Sequence, residues 1–379
     1  MGVRMRDLKD IKRVILKIGS SSLVDDKLNI KKDVLDKLMC SFKNLIDKGI
    51  EICLVTSGAI ALGRGELGLK KKPTEMALKQ ACAAIGQAKI MEYYNEASKK
   101  YGLLCGQILV NHDDFQVRNR MKFLAQSLEA MLSNKVIPIV NENDVLAVEE
   151  IKVGDNDTLS SLLVPVIGAD LLILFSDIDG LYDKNPKEFS DAKFIDTVSK
   201  VDKDIYKMVG VNKSNVGTGG METKLNAAII ATQAQGNMII CNSNRISDLE
   251  RIIEGEQIGT LFIAKKHLIS SKEHWMIYRV KASGALVIDN GARDALNNKK
   301  VSILPKGIIS VKGEFLSDSI INVIDEDGNL IAKGISNYSS SEIDLIKGKK
   351  SSEFLGNKFT KEEVIHANNL VIIREDILC

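Results

Sequence analysis

The sequence has few of the residues that build metal centres. Its six cysteines include no C-x-x-C pair, and its four histidines lie far apart along the chain, at positions 112, 267, 274 and 366. We therefore expect neither structural zinc nor a transition-metal site, and no histidine stands out as a general base. Several cysteines lie in apolar runs, which is typical of buried thiols in a reducing compartment.

Long apolar segments and an excess of one charge are also missing. The N-terminal stretch MGVRMRDLKD has no apolar core of the kind that a signal peptide needs, and polar residues interrupt the most apolar segment, residues 159–175. The 52 basic and 50 acidic side chains leave a formal net charge of +2, too small to attract nucleic acid or an acidic membrane. We expect a cytoplasmic protein without a membrane partner, whose ligands bind at local sites.

Short apolar runs alternate with longer segments of helical period as far as Lys265. The apolar runs are predicted strands and cover residues 14–18, 51–56, 104–110, 136–141, 170–175 and 238–241. The helical segments have apolar residues three and four positions apart and cover residues 32–45, 74–100, 118–133 and 223–235. This alternation predicts an α/β fold with a mainly parallel open sheet and helices on both faces.

The pattern changes after Ser270. Short β-rich runs (GALVIDNGA, VSILPKGIISV, SIINVIDEDGNLIAKG) are separated there by Gly, Asn and Asp turns, which predicts a small all-β domain. We place the boundary near the polar stretch KKHLISSKEHW. The sequence therefore predicts an α/β domain over residues 1–270 and a β domain over residues 278–362.

Polar and small residues cluster where four predicted strands end. GSSS follows the first strand, TSGAIALG the second, NEND the fourth and SDIDGLY the fifth. Ligands of open parallel sheets bind outside the carboxyl ends of the strands, so one cleft could gather all four clusters.

The first cluster belongs to LKIGSSSLV, which reverses the order of a P-loop because Lys17 precedes the glycine. Gly19 and Ser20 can present backbone N–H groups to an anion, and Ser57 with Gly58 repeats this arrangement before a predicted helix. The alternative for Ser57 is a helix cap.

A better-defined element is GTGGMETKL, residues 217–225. Three glycines lead there into a helix that carries Lys224 in its first turns, and both the helix N-terminus and the lysine favour phosphate. We interpret this segment as the nucleotide loop. The alternative, a flexible surface loop, would not need so many glycines.

An acidic cluster, NENDVLAVEEIKVGDNDTLS, ends the fourth strand and precedes a helix that we expect to begin near Thr158. Such Asp and Asn residues are often solvated turns. At this edge of the sheet they also suit recognition of an ammonium group, alignment of lysines, or a hold on Mg²⁺ through water. The residues alone leave these alternatives open.

Phosphoryl transfer to a carboxylate fits a site without a histidine base. A carboxylate is already ionised at neutral pH, so the site needs only positioning and charge neutralisation. Our hypothesis is that Lys17 reaches the transferring phosphoryl from the strand end and that Lys224 approaches it from the nucleotide loop.

Six ordered motifs resemble the glutamate 5-kinases of the amino acid kinase family. They are LKIGSSSL, VTSGAIALG, IPIVNENDVLA, GDNDTLSS, LLILFSDIDGLYDKNP and VGTGGMETKLNAA, and the β-rich tail is similar to the PUA domain of many bacterial members. The resemblance implies an αβα sandwich. It also implies ATP- and Mg²⁺-dependent phosphorylation of the γ-carboxylate of L-glutamate to L-glutamyl 5-phosphate, the first step of proline biosynthesis.

The resemblance also implies roles for individual residues. Lys17, Lys224 and Asp157 would be catalytic, with Asp157 holding the two lysines. The glutamate pocket would contain Ser57, Asp144, Asn156, Asn141 and Asp155. The ATP site would contain Lys17, Gly19, Ser176, Asp177, Thr218, Gly219, Gly220, Met221, Glu222, Thr223 and Lys224, with Mg²⁺ bound to ATP and no direct protein ligand. L-Proline as a feedback inhibitor and a homo-oligomer are further expectations, which no separate feature of the sequence supports.

Two other functions compete with this one. One alternative is another member of the family that acts on a related carboxylate, and three comparisons disfavour it. Aspartokinases usually read K-F-G-G near the start, and acetylglutamate kinase has a Gly-Gly turn in place of GSSS. Uridylate kinases lack a PUA tail. An RNA-binding PUA protein is disfavoured because residues 281–360 contain eleven basic and ten acidic side chains. We therefore do not expect nucleic acid as a partner.

Overall fold

The computed structural model describes residues 5–8, 10–146, 156–186, 188–202, 204–206, 220–265, 271–278, 280, 282–299, 301–356 and 359–373. The chain divides into two compact units, Met1–Leu268 and Ile269–Cys379. The residues proposed above as site residues all belong to the first unit.

The first unit is built on an eight-stranded sheet with the strand order β3-β4-β2-β1-β5-β9-β10-β8. The six strands from β3 to β9 are parallel, while β10 runs antiparallel to β9 and β8 runs parallel to β10. A two-stranded hairpin of β6 and β7 stands apart. The strands are β1 (Arg13–Ile18), β2 (Glu51–Val55), β3 (Leu104–Val110), β4 (Val136–Glu142), β5 (Leu171–Ser176), β6 (Leu181–Tyr182), β7 (Phe194–Ile195), β8 (Thr197–Val198), β9 (Asn237–Asn242) and β10 (Thr260–Phe262).

Helices accompany this sheet along the whole unit. They are α1 (Ser20–Leu23), α2 (Lys32–Asp47), α3 (Ala59–Glu66), α4 (Met76–Lys99), α5 (His112–Gln116), α6 (Arg118–Ser133), α7 (Asn156–Ile167), α8 (Met221–Gln233) and α9 (Leu249–Ile253), with a 3₁₀ helix at Ser243–Asp248. The predicted strands and helices match the observed ones to within two residues at each end. The prediction was wrong at GSSS, where the expected turn is the one-turn helix α1, and α7 begins two residues before Thr158.

The central strands explain why the apolar runs are continuous. β1 lies between β2 and β5, so both of its edges are hydrogen-bonded. Val14, Ile15 and Leu16 point to alternate faces of the sheet and are all fully buried, so both faces of the strand are covered. The amphipathic helix α2 contributes the face of Leu35, Leu38, Phe42 and Leu45 to the same core. From β1 the chain continues to β2 on one side and later to β5 on the other, which opens a crevice at their carboxyl ends.

Helices α3 and α4 touch backbone to backbone. A Cβ atom on Gly63 would lie 1.8 Å from the carbonyl oxygen of Cys82, and one on Gly86 would lie 1.8 Å from the carbonyl oxygen of Ala59. No side chain fits at either point. The contact therefore fixes α4 against the start of α3, directly after β2.

The second unit has its own five-stranded sheet with the order β12-β11-β13-β14-β15, in which only β11 and β13 pair in parallel. Its strands are β11 (Ala285–Ile288), β12 (Ile308–Lys312), β13 (Ile320–Ile324), β14 (Leu330–Ile335) and β15 (Leu370–Ile372). The sheet encloses a separate core around Leu286, Ile321 and Val323. Helices that the expectation of an all-β domain omitted accompany it: α10 (Ser271–Tyr278), α11 (Asn290–Asn298), α12 (Ser340–Ile346) and α13 (Ser351–Phe354).

Within the described part of the chain, no helix is long and apolar enough to cross a membrane. Cys53, Cys82 and Cys241 are buried free thiols, whereas the thiol of Cys40 is exposed.

Candidate active site

The sheet brings four polar strand ends together. Lys17 is the fifth residue of β1, Ser57 follows β2 by two residues, Asn141 lies in β4, and Ser176 ends β5. These strands are neighbours in the order β4-β2-β1-β5 and are parallel, so their carboxyl ends form one edge of the crevice.

A buried carboxylate between two lysines forms the charged centre of this edge. Asp157 is fully buried; its Oδ1 atom lies 2.6 Å from Nζ of Lys17, and its Oδ2 atom lies 3.0 Å from Nζ of Lys224. Both ammonium groups are also largely withdrawn from water, since the side chains of Lys17 and Lys224 are 12% and 6% exposed. The three side chains together carry one net positive charge, which suits a bound anion.

The pKa of Asp157 reflects this arrangement. Burial by itself raises the pKa of the carboxyl group because it penalises the charged form. The charges of Lys17 and Lys224, and their hydrogen bonds, act in the opposite direction and outweigh burial, so the pKa lies below its ordinary value. Asp157 is therefore ionised at neutral pH and serves as a fixed counter-ion.

Local structure places each of the three charges. Asp157 is the second residue of α7, where the helix dipole favours a negative charge. Lys224 is the fourth residue of α8, whose first turn begins after Gly220. Nζ of Lys17 lies 3.8 Å from the position that a Cβ atom on Gly19 would occupy, so the lysine side chain extends over Gly19, the residue that follows β1.

An amide cluster adjoins the charged centre. Nδ2 of Asn156 lies 2.7 Å from Oγ of Ser57, 2.7 Å from the carbonyl oxygen of Thr56 and 3.1 Å from Oδ1 of Asn141. Ser57 does not cap α3, because the N-cap is Gly58, with a φ of +102° and no side-chain cap. The alternative prediction, that Ser57 is a helix cap, is therefore wrong.

The remaining predicted residues lie around this centre or outside the described ranges. Asp144 is half-buried in the turn after β4, and Oγ of Ser176 donates a hydrogen bond to Oδ1 of Asp177 at 3.1 Å. Gly220 is the N-cap of α8; Met221, Glu222 and Thr223 form its first turn. Asp155, Thr218 and Gly219 lie outside the described residues.

Two glutamines that sequence reasoning missed extend the amide cluster. Nδ2 of Asn141 donates to Oε1 of Gln87 at 2.9 Å, and Nε2 of Gln87 donates to Oε1 of Gln107 at 3.0 Å. The signal that could have found Gln87 is its place on the apolar stripe of α4, between the buried residues Ala83 and Ile90.

The donor set does not fit direct coordination of a metal ion by the charged centre. Both carboxylate oxygens of Asp157 already lie beside an ammonium group: Oδ2 accepts a hydrogen bond from Lys224, whereas Oδ1 is ion-paired with Lys17 at 2.6 Å without the alignment of a hydrogen bond. Among the residues that the structure describes, no group of three or more His, Cys, Asp or Glu side chains is arranged to hold a metal ion.

Family models match both units of the chain. Residues 12–242 match the amino acid kinase family, and residues 284–355 match the PUA domain. The first match covers more than half of the chain and includes every residue of the charged centre. The chain belongs to the amino acid kinase family.

Curated relatives match over almost the full length. A glutamate 5-kinase from Caldanaerobacter subterraneus subsp. tengcongensis is 42% identical over 364 residues, which cover 95% of this chain and 98% of the relative. The glutamate 5-kinase of Carboxydothermus hydrogenoformans is 40% identical over 370 residues, covering 97% and 99%. That of Geobacter sp. (strain M21) is 39% identical over 374 residues, covering 98% and 100%. Within its family, the chain belongs with the glutamate 5-kinases.

Proposed function

We propose that this protein transfers the γ-phosphoryl group of ATP to the γ-carboxylate of L-glutamate, forming L-glutamyl 5-phosphate for proline biosynthesis. The observation that carries the mechanism is the buried carboxylate of Asp157 between the ammonium groups of Lys17 and Lys224. The identity of the acceptor rests on the full-length glutamate 5-kinase relatives.

The reaction requires little covalent chemistry from the protein. An oxygen of the ionised γ-carboxylate attacks the γ-phosphorus, the new O–P bond forms, and the bond to the β,γ-bridging oxygen breaks so that ADP leaves. No proton has to be removed from the acceptor, because a free carboxyl group with a pKa near 4.3 is ionised at neutral pH. Positioning and charge stabilisation then account for catalysis.

Lys17 and Lys224 supply that stabilisation in this proposal. Their ammonium groups are held by Asp157 before substrate arrives, so little reorganisation is needed when charge develops on the phosphoryl oxygens. Asp157 acts through the lysines and does not itself contact the phosphoryl group.

The amide cluster is the proposed glutamate pocket. Asn156 already contacts both Ser57 and Asn141 there, and Asp144 lies in the turn after β4. Asp155 is assigned to the same pocket through the family resemblance. An acidic and amide-rich pocket of this kind suits the α-ammonium group of an amino acid.

The nucleotide would bind over the neighbouring strand ends. Gly19, Ser176 and Asp177 would face it from the ends of β1 and β5, and residues 220–224 would approach its phosphates at the start of α8. Thr218 and Gly219 are assigned to the same site through the family resemblance. Mg²⁺ would arrive on the ATP phosphates, where it neutralises part of their charge. Inhibition by L-proline and homo-oligomer formation rest on the resemblance alone, and are tested by proline titration and sedimentation.

Trapping with hydroxylamine tests the reaction and the substrate together. An acyl phosphate reacts with hydroxylamine to give a hydroxamate, whereas phosphorylation of an alcohol gives none. We expect hydroxamate from L-glutamate with ATP and Mg²⁺, and much less from L-aspartate, whose carboxylate would end one methylene short of the phosphoryl. N-Acetylglutamate should fail because it has no ammonium group. A larger signal from either analogue would refute the assignment of glutamate, and no hydroxamate from any carboxylate would refute the mechanism.

A further inference from the structure

A chain of amide side chains leads from the proposed glutamate pocket to the surface. It runs from Asn156 through Asn141 and Gln87 to Gln107, with successive N···O distances of 3.1, 2.9 and 3.0 Å. Asn141 and Gln87 are 2% and 8% exposed, so the middle of this row of amides is buried, whereas Gln107 is exposed on β3. In each link, the residue nearer the pocket donates and the next residue accepts.

One backbone group sets this common direction. The carbonyl oxygen of Thr56 can only accept a hydrogen bond, so Asn156 must turn its Nδ2 atom towards it. Nδ2 of Asn156 then also faces Asn141, which must accept through Oδ1. Asn141 therefore presents its own Nδ2 atom to Gln87. The same reasoning makes Gln87 accept from Asn141 and donate to Gln107. Reversing any one amide would place two donors or two acceptors against each other.

The orientation turns the oxygen of the Asn156 amide away from Thr56, Ser57 and Asn141. The amide nitrogen of Asn156 shares its two hydrogens among the oxygens of Thr56, Ser57 and Asn141, while its Oδ1 atom accepts no hydrogen bond from any residue that the structure describes. An oxygen acceptor is what an ammonium group requires, because an ammonium group can only donate.

We propose that Gln87 is a positioning residue for the acceptor substrate, and that it holds Asn141 and Asn156 in the orientation that offers Oδ1 of Asn156 to the α-ammonium group. The inference rests on the proposed function for the nature of the substrate. Gln87 acts through two other side chains and does not touch glutamate. The Gly63 and Gly86 contact supports it, because the neighbour of Gln87 in α4 is locked against the start of α3.

Kinetics of two substitutions test the proposal. Gln87→Met keeps the length of the side chain but removes the acceptor, so Asn141 and Asn156 lose their fixed orientation. We expect the KM for glutamate to rise about three- to tenfold, the loss associated with one neutral hydrogen bond, while kcat and the KM for ATP change less than about twofold. Gln87→Glu retains an acceptor for Asn141, and the exposed Gln107 can rotate to meet it. Its KM should therefore stay within about twofold of the native value.

A matched control comes from the same helix. Ser98→Ala also removes a buried polar group from α4, one that donates to the carbonyl oxygen of Asn95 at 3.2 Å, but it lies eleven residues from Gln87, about 16 Å along the helix. Its KM for glutamate should be native. If Gln87→Met does not fold, Gln107→Met, at the exposed end of the row of amides, should raise the KM for glutamate by a smaller factor.

Glutarate, which is glutamate without the amino group, separates positioning from a general loss of structure. As a competitive inhibitor, glutarate should bind the native protein and Gln87→Met about equally, because it makes no ammonium contact. An equal loss for glutarate, a native KM in Gln87→Met, or a rise in Ser98→Ala of the same size would each overturn the proposal. Failure of the proposed function has a different signature, since native protein would then give no hydroxamate from glutamate. A preference of the native protein for N-acetylglutamate would refute the ammonium contact as well.

Discussion

Replacing Asp157 by asparagine should destabilise the first unit far more than an ordinary loss of a surface ion pair. The substitution keeps the shape of the side chain, but it leaves the ammonium groups of Lys17 and Lys224 buried without a counter-ion. Removing one partner of a buried ion pair typically costs about 3–5 kcal/mol, and here one carboxylate serves two cations. We therefore expect a loss of at least about 3 kcal/mol in the free energy of unfolding.

Urea denaturation measures this loss. For a slope of about 1–3 kcal/mol per molar urea, a loss of about 3 kcal/mol should lower the midpoint by about 1–3 M. Asp47→Asn is the matched control, since it breaks the exposed pair between Asp47 and Lys43, whose side chains are 58% and 40% exposed. That change should cost no more than about 0.5 kcal/mol. If the two variants unfolded at the same urea concentration, the carboxylate would not be the counter-ion of the lysines.

The pH dependence of the same measurement identifies charge as the cause. The pKa of Asp157 is lowered in the folded protein, so its contribution is fully present above the pKa of an unfolded aspartate, about 3.9. The contribution is lost as the pH falls from there through the lowered pKa of the folded state. The difference between native protein and Asp157→Asn should therefore be constant near neutral pH and shrink below pH 4. A difference that did not shrink would indicate lost packing.

Three further predictions concern catalysis and modularity. Lys17→Ala and Lys224→Ala should each lower kcat by about two orders of magnitude or more with little change in glutamate binding; a variant with near-native kcat and only a raised KM would lose its catalytic role. A chain shortened to residues 1–268 should fold and retain kinase activity, because every proposed site residue lies in that unit; insolubility of the shortened chain would contradict this. Gly86→Ala should lower the thermal midpoint and raise the KM for glutamate, because a Cβ atom would meet the carbonyl oxygen of Ala59 at 1.8 Å; unchanged values for both would show that the helices separate at no cost.

The sequence predicted the six parallel strands because they carry strong local signals, whereas the short strands β8 and β10 of the same sheet were missed. β1 and β5 are buried on both faces and therefore read as continuous apolar runs. α1 was missed because four residues are too few for a helical period to show. α7 began earlier than expected because Asn156 and Asp157 were interpreted as residues that precede a helix.

The candidate site was predictable only where residues come in recognisable motifs. Lys17, Asp157 and Lys224 each stand in such a motif, although the last two are 67 positions apart. Gln87 stands in none, and its partner Asn141 lies 54 residues away, so nothing local indicates that the two amides meet. Contacts of this kind depend on how helices pack on the sheet, which a periodicity does not specify.

The close backbone contact between α3 and α4 also has a mechanical consequence. It occurs at Gly63 with Cys82 and at Gly86 with Ala59. Most helix pairs are separated by side chains, which can change rotamer and absorb a small displacement before it spreads. Between α3 and α4 no side chain separates the two backbones at either point, so we expect the two helices to move together. Because only Gly58 separates Ser57 from the start of α3, we expect a displacement at the outer surface of α4 to be transmitted to the residues of the crevice with little loss.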